Sequence, residues 1–121
     1  MIRIAINGSK GKMGLALIEA INSSSQSDFA AGFDKGDSLI DSINDFEVLI
    51  DFSRPEASLN ALSVCKGSGK SMVIGTTGFT DSGLKLIEQA SKDIPIVFAP
   101  NMSVGVNLTL KILETSAKVI G

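Results

Sequence analysis

The sequence predicts one α/β domain, a doubly wound parallel sheet of about five strands with helices on both faces. Two observations predict it. Short runs rich in β-branched and other apolar residues alternate with segments of helical periodicity along the whole chain. These runs are continuously apolar rather than alternating, which is typical of strands that helices cover on both faces. A length of 121 residues, 44% of them hydrophobic, suits a single domain over residues 1–121.

The first predicted elements are two strands around a helix. Residues 2–6 and 28–33 form the strands, and residues 12–22 form the helix between them. The helix follows a glycine-rich loop and ends at three consecutive serines, residues 23–25. This order predicts a parallel βαβ unit with a right-handed crossover.

A polar stretch at residues 36–47 precedes the third predicted strand, at residues 48–52. The stretch has few apolar anchors and reads as either a short helix or a loop. The next helix begins at Pro55 with Glu56 behind it, because proline at the first helical position and an acid in the first turn are start signals. It ends near Gly67.

The remaining predicted elements are a strand, a helix, a strand and a helix, at residues 71–74, 81–92, 94–98 and 104–120. Thr80 is the expected N-cap of the helix that follows it. Apolar residues recur at helical spacing in the last helix, and Gly121 is its expected C-terminal cap.

Composition excludes several classes of function. The chain has 11 basic and 13 acidic residues with scattered signs, which argues against binding nucleic acid. No histidine is present, which excludes histidine acid/base chemistry and a histidine-based zinc site, and we predict no metal site. The single cysteine, Cys65, is expected to be a packing thiol, and without a leader segment it indicates a reducing cytoplasm. The longest apolar runs are far shorter than the roughly 20 residues of a membrane span.

The first strand runs into a glycine-rich loop that opens a helix. Its sequence is Gly8-Ser9-Lys10-Gly11-Lys12-Met13-Gly14. A glycine at such a turn lets the backbone approach a phosphate, which the free N–H groups and the positive end of the helix then hold. The spacing G-x-x-G-x-x-G differs from the common dinucleotide pattern, so a tight turn without a ligand stays an alternative.

Asp34 directly follows the second predicted strand, 20 residues after Gly14. Dinucleotide-binding folds place a carboxylate at this distance to accept hydrogen bonds from the adenosine ribose. Lys35 beside it is a cation that suits a 2′-phosphate, so the pair favours tolerance of both NADH and NADPH. A solvated turn over residues 34–37 is the alternative.

Three further loops follow strand ends, at residues 51–56, 75–80 and 99–107. Carboxyl ends of strands are where open α/β sheets bind ligands. Gly75 and Gly78 flank two threonines in a site suited to a ribose or a nicotinamide, and Arg54 has a fork for a carboxylate, a phosphate or a sugar. Helix capping is the alternative for the hydroxyl residues of these loops, which are Ser53, Thr77, Thr80 and Ser103, and for Thr80 it is the favoured interpretation.

Four motifs, in this order, closely resemble the N-terminal cofactor domain of dihydrodipicolinate reductases. They are Gly8-x-x-Gly11-Lys12-Met13-Gly14, Asp51-Phe52-Ser53-Arg54-Pro55, Val73-Ile74-Gly75-Thr76-Thr77-Gly78-Phe79 and Ala99-Pro100-Asn101-Met102-Ser103-Val104-Gly105-Val106-Asn107. The resemblance implies a Rossmann-like domain of a reductase that uses NADH or NADPH. The reductase would convert 4-hydroxy-tetrahydrodipicolinate to tetrahydrodipicolinate on the diaminopimelate route to lysine.

The resemblance also implies roles by position. The pyrophosphate would lie on the glycine loop, formed by Gly8, Ser9, Lys10, Gly11, Lys12 and Met13. Asp34 would bind the adenosine ribose and Lys35 any 2′-phosphate. The nicotinamide half would be lined by Phe52, Arg54, Gly75, Thr76 and Thr77, and the cofactor would be covered by Ala99, Pro100, Asn101 and Met102.

The sequence departs from the family in two ways. Only 16 residues separate Asp34 from Asp51, where the family usually has a longer link with an extra short strand, so we expect a smaller sheet edge. The histidine- and lysine-containing segment of the family's second, catalytic domain is not among these residues. We therefore expect cofactor binding without turnover and assign no catalytic residue. Full-length members form homotetramers largely through that second domain, so the resemblance implies no oligomeric state for this chain.

Two other functions stay open on the sequence. One is a stand-alone nucleotide-binding module that senses redox state. The other is a methyltransferase that uses S-adenosylmethionine, which Asp34 would fit, but which leaves the motifs at residues 75–79 and 99–107 unexplained.

Overall fold

All five strands lie in one parallel sheet, as predicted. The computed structural model describes residues 2–23, 25, 27–34 and 37–98. The strands are β1 (Ile2–Asn7), β2 (Ser27–Phe33), β3 (Val48–Asp51), β4 (Ser71–Ile74) and β5 (Ile96–Phe98). Their order in the sheet is β2-β1-β3-β4-β5.

Helices cover both faces of the sheet, which confirms the predicted fold class. They are α1 (Lys12–Ser23), α2 (Pro55–Ser68) and α3 (Asp81–Ala90), with one short 3-10 turn, Ile40–Ser42. Successive side chains of a strand point to opposite faces. In β1, Ile4 and Ile6 therefore pack in the same cluster as Leu17 of α1, whereas Ala5 belongs to the cluster that contains Leu62 of α2 and that α2 and α3 help to form.

The helix ends follow ordinary capping rules. Thr80 caps α3 as predicted, since its hydroxyl oxygen accepts a hydrogen bond from the Gly83 N–H at 3.2 Å. Helix α2 runs to Ser68, beyond the predicted stop at Gly67. It ends there because Gly69 adopts a left-handed conformation, with φ 70°, and its N–H bonds to the Cys65 carbonyl.

Two boundaries near the end of the described region differ from the predicted ones. Helix α3 ends at Ala90 rather than at residue 92, because residues 91–93 form turns. Strand β5 begins at Ile96 rather than at residue 94. Ile94 is apolar because it is buried in the core, and its N–H bonds back to the Ala90 carbonyl at 3.0 Å. The apolar run at residues 94–98 therefore predicted a strand that is two residues too long.

The short connection between β2 and β3 has no strand in its described part, residues 34 and 37–47. It contains the 3-10 turn, and Leu39 and Ile43 pack on the core. Phe46 is fully buried, and its ring meets that of Phe33 edge-on, with centroids 6.1 Å apart. A few apolar side chains are therefore enough to hold this connection against β2, the strand at the edge of the sheet.

The predicted last helix at residues 104–120 and its cap Gly121 lie outside the described residues. None of the helices that the structure describes is long and apolar enough to cross a membrane.

Two helical glycines give opposite predictions for stability. A Cβ on Gly14 would overlap the Gly8 carbonyl oxygen and lie 2.6 Å from the Ser9 carbonyl oxygen, whereas a Cβ on Gly67 meets nothing within 4 Å. We expect Gly14→Ala to lower the free energy of unfolding by about 2 kcal/mol or more. Gly67→Ala should raise it by about 0.5–1 kcal/mol, because alanine is the better helix former.

Urea denaturation of both variants measures the difference. Equal effects of the two substitutions would contradict the close contact between α1 and the loop after β1.

Candidate functional site

The carboxyl ends of the strands bring the predicted loops to one edge of the sheet. Strand β1 lies between β2 and β3. The chain therefore leaves β1 toward one side of the sheet to form β2, and then returns past β1 to form β3 on the other side. Crevices at such points are where open α/β sheets bind ligands. A cleft of about 810 Å³ opens here, lined by Asn7, Gly8 and Asp34, by residues 37–40, and by side chains at the start of α2. This volume falls within the roughly 300–1,000 Å³ of ligand pockets.

The three glycines at the junction of β1 and α1 differ in whether the fold requires them. Gly8 has φ +87°, which a side chain would strain, and a Cβ there would lie 3.0 Å from the Phe52 carbonyl oxygen. Gly14 allows the close contact with Gly8 and Ser9 described above. A Cβ on Gly11 would meet only the Gly8 carbonyl oxygen, at an ordinary 3.6 Å. The fold therefore requires glycine at 8 and 14 but not at 11.

The start of α1 has the properties of an anion site. The first N–H groups of a helix have no acceptor within the helix, and the N–H of Leu15 is the first to bond back, to Gly11 at 3.0 Å. No acidic side chain lies in the first turn. Exposed Lys10 and Lys12 flank this helix end. The positive end of the helix is thus free to hold a phosphate group.

Asp34 lies against this same loop. Its carboxylate accepts hydrogen bonds from the Ser9 hydroxyl at 2.6 Å and from the Lys10 N–H at 3.1 Å. Its own N–H donates to the Asp37 carboxylate at 2.8 Å. Asp34 therefore lies both at the glycine loop and in the lining of the cleft. Each carboxylate oxygen keeps a further lone pair for a ligand hydroxyl.

A buried polar network lies beneath the loops after β3 and β4. Asp51 is fully buried, and its carboxylate accepts hydrogen bonds from the Ser53 N–H at 2.9 Å, from the Ser53 hydroxyl, and from the Asn7 amide at 3.5 Å. Thr76 Oγ1 lies 3.4 Å from the same carboxylate. Burial raises the pKa of the Asp51 carboxyl, and these hydrogen bonds partly offset the rise.

Ser58 completes the network from inside α2. Ser58 is 1% exposed, and its hydroxyl donates to Thr76 Oγ1 at 2.8 Å. The Ser53 N–H also donates to Thr76 Oγ1, at 3.1 Å. Sequence reasoning did not predict Ser58 or Asp51 as site residues. The available signal was an acid at the end of a buried apolar strand, where a side chain without partners would be costly.

The side chains at residues 52–54 do not cap α2. Arg54 occupies the N-cap position without a side-chain hydrogen bond, and the Ser53 hydroxyl donates to Asp51 instead. The Phe52 ring packs directly on Gly75, where a Cβ would overlap it. Gly75 is therefore required by this contact, which joins the β3–α2 and β4–α3 loops. Arg54 is exposed and lines the cleft.

Thr77 and Gly78 continue the loop after β4. Thr77 is exposed, and Gly78 has φ +89°. The predicted site residues Lys35, Ala99, Pro100, Asn101 and Met102 lie outside the described residues. The structure thus brings the glycine loop and Asp34 together, and it joins the loops of Phe52 and Gly75 at the same edge.

Cys65 is not suited to nucleophilic chemistry. Burial raises the pKa of its thiol to about 12, and the charge of Asp51 contributes to the rise. Within the described ranges, no three His, Cys, Asp or Glu side chains form a group that could hold a metal ion.

Comparison with known proteins matches the chain to one family. The family described as dihydrodipicolinate reductase, N-terminus, matches residues 2–102. A 4-hydroxy-tetrahydrodipicolinate reductase from Hahella chejuensis (strain KCTC 2396) is 42% identical over 144 aligned positions, which cover 100% of this chain and 54% of the relative. Because the chain has 121 residues, that relative has residues within the aligned span which this chain lacks.

A solved structure shows the same fold. It is a dihydrodipicolinate reductase from Paenisporosarcina sp. TG-14 with dipicolinate bound, with a TM-score of 0.68 and 26% sequence identity. The match covers 84% of this chain and 48% of that chain. The chain thus spans about half the length of the relatives it matches.

The raised pKa of Asp51 gives a prediction about pH. A carboxyl whose pKa in the folded state exceeds its ordinary value of 3.8 contributes stability below that value, and the contribution is lost as the pH rises through the folded-state pKa. Asp51→Asn removes this titration. We expect the unfolding free energy of the unaltered chain, relative to that of Asp51→Asn, to fall as the pH rises above about 4.

Urea titrations of both proteins at several pH values measure this difference. A difference that stays constant with pH, or that rises, would show that Asp51 does not titrate as a buried carboxyl.

Proposed function

The chain belongs to the dihydrodipicolinate reductase family, matching its N-terminal part, and we propose from this premise that its sheet edge binds NADH or NADPH. One observation carries the proposal. The β1–α1 loop keeps a glycine at position 11 that the fold does not require, at the free positive end of α1 and beside the carboxylate of Asp34. A dinucleotide would account for all three features. Its pyrophosphate would lie against Gly11 and the start of α1, and its adenosine ribose would lie against Asp34.

The described residues fit a nicotinamide dinucleotide. The glycine loop and the start of α1 would hold the pyrophosphate, with Gly11 leaving room for its oxygens. Asp34 would accept hydrogen bonds from the adenosine ribose, and the cleft beside α2 would hold the rest of the adenosine half. Phe52, Gly75 and Thr76 would lie beside the nicotinamide half. When bound, the reduced nicotinamide supplies a hydride.

The reaction itself is proposed from the family. We propose that the domain serves the reduction of 4-hydroxy-tetrahydrodipicolinate in the biosynthesis of diaminopimelate and lysine, the activity that the name of the 42% identical relative describes. The 121 residues contain no histidine, so they do not supply the histidine proton donor that the family resemblance implies. Their part in the reaction is to bind and orient the cofactor.

Ligand titration tests the proposal. The chain has no tryptophan or tyrosine, so the fluorescence of a reduced nicotinamide can be followed with little background from the protein. We expect NADH or NADPH to bind and S-adenosylmethionine not to bind. Gly11→Ala should weaken dinucleotide binding by about tenfold, because its methyl group takes the space of the pyrophosphate.

The stability of Gly11→Ala is the control. Its Cβ meets only one atom, at 3.6 Å, so the midpoint of urea denaturation should stay close to that of the unaltered chain. Binding of S-adenosylmethionine in place of a dinucleotide, or undiminished dinucleotide binding by Gly11→Ala, would contradict the proposed site.

A further inference from the structure

The buried network around Asp51 is more than the sheet requires. The other described residues of β3, Val48, Leu49 and Ile50, are apolar and buried, and an apolar side chain at its last position would equally fill the space between the sheet and α2. A carboxylate in this place costs free energy unless hydrogen bonds compensate it. Packing alone therefore does not explain why Asp51 and its hydrogen-bond partners are polar.

The hydroxyl groups of the network donate their hydrogen bonds in the direction of Asp51. Ser58 donates to Thr76 at 2.8 Å, and Thr76 is left to donate to the carboxylate or the carbonyl of Asp51, both at 3.4 Å. Ser53 donates to the carboxylate through its hydroxyl and its N–H. In its ionised form the Asp51 carboxylate only accepts hydrogen bonds, and in that form it fixes the direction of the donors that reach it.

This network joins three loops of the candidate site. Asn7 directly precedes Gly8 of the glycine loop, and Ser53 stands between Phe52 and Arg54. Thr76 stands between Gly75 and Thr77. The first two loops line the cleft, whereas Thr76 and its neighbours do not. The loop after β4 is thus held relative to the cleft by the hydrogen bonds of Thr76 with Asp51, Ser58 and Ser53, beside the packing of Phe52 on Gly75.

We propose that Ser58 and Asp51 are positioning residues for dinucleotide binding, which hold the β4 loop at a fixed place relative to the cleft through Thr76. The inference rests on the proposed function. Ser58 is too deeply buried to contact a ligand, and its shortest polar contact is with Thr76 Oγ1, at 2.8 Å against 3.4 Å to the Ser53 hydroxyl. Its main effect on binding therefore passes through Thr76. A ligand that spans the cleft and the β4 loop depends on their relative position, whereas a ligand that occupies the cleft alone does not.

Two ligands of different length distinguish a site that includes the loop after β4 from a site that is the cleft alone. NADH would extend from the cleft to the β4 loop, and ADP-ribose lacks the nicotinamide that the loop would contact. The dissociation constants of both are measured for the unaltered chain, Ser58→Ala and Ser63→Ala. Ser63 is an exposed serine of the same helix and so provides a matched control.

We expect Ser58→Ala to weaken NADH binding by about tenfold, the size of one lost buried hydrogen bond, and to leave ADP-ribose binding within about twofold. Ser63→Ala should change neither. Asp51→Ala removes the shared acceptor and should weaken NADH binding further, and Asp51→Asn, which keeps an acceptor oxygen, should restore most of it. If Asp51→Ala does not fold, Ser58→Ala and Asp51→Asn decide the question.

The outcomes distinguish the two proposals. Undiminished NADH binding by Ser58→Ala, or equal losses for NADH and ADP-ribose, would overturn the positioning role while leaving the cofactor site in place. An unaltered chain that binds neither ligand would contradict the proposed function itself.

Discussion

The parallel pairing of all five strands is the constraint on which the rest of the described structure depends. Parallel strands all end at the same edge, so the loops after β1, β2, β3 and β4 are neighbours in space although they are distant in sequence. Both faces of such a sheet are covered by helices, which leaves the ends of the strands as the place for polar groups. The candidate site follows from this constraint, because each of its loops begins where a strand ends.

The loops are held together by contacts that tolerate little change. Gly14 lets α1 lie against Gly8 and Ser9, and Gly75 lets the Phe52 ring lie against the backbone after β4. Asp51 adds a polar connection among the same loops, at the cost of burying a carboxylate. Close packing and a shared acceptor therefore act on the same loops. Such rigidity favours binding, because less ordering remains when a ligand arrives.

The sequence predicted the order and type of the described elements because their signals are local. Continuous apolar runs marked the strands, and Pro55 and Thr80 marked the helix starts. The predicted end of the strand at Phe52 was one residue too late, and its contact with Gly75 was not foreseen, since that contact depends on the pairing of β3 with β4. The network of Ser58 and Asp51 was missed for the same reason, because its partners lie far apart in the chain. The glycine loop and Asp34, which the structure brings together, were predicted because the spacing between them has a known physical meaning.

The central claim is that a dinucleotide binds at the carboxyl edge of the sheet. Mapping of amide resonances by NMR during a titration with NADH tests it most directly. The account predicts that the amides of Gly8, Gly11 and Thr76 shift together, while those of Glu47 and Ser71, at the opposite ends of the strands, stay in place. Shifts confined to that opposite edge, or to the exposed face of α3 around Leu84 and Leu86, would contradict it.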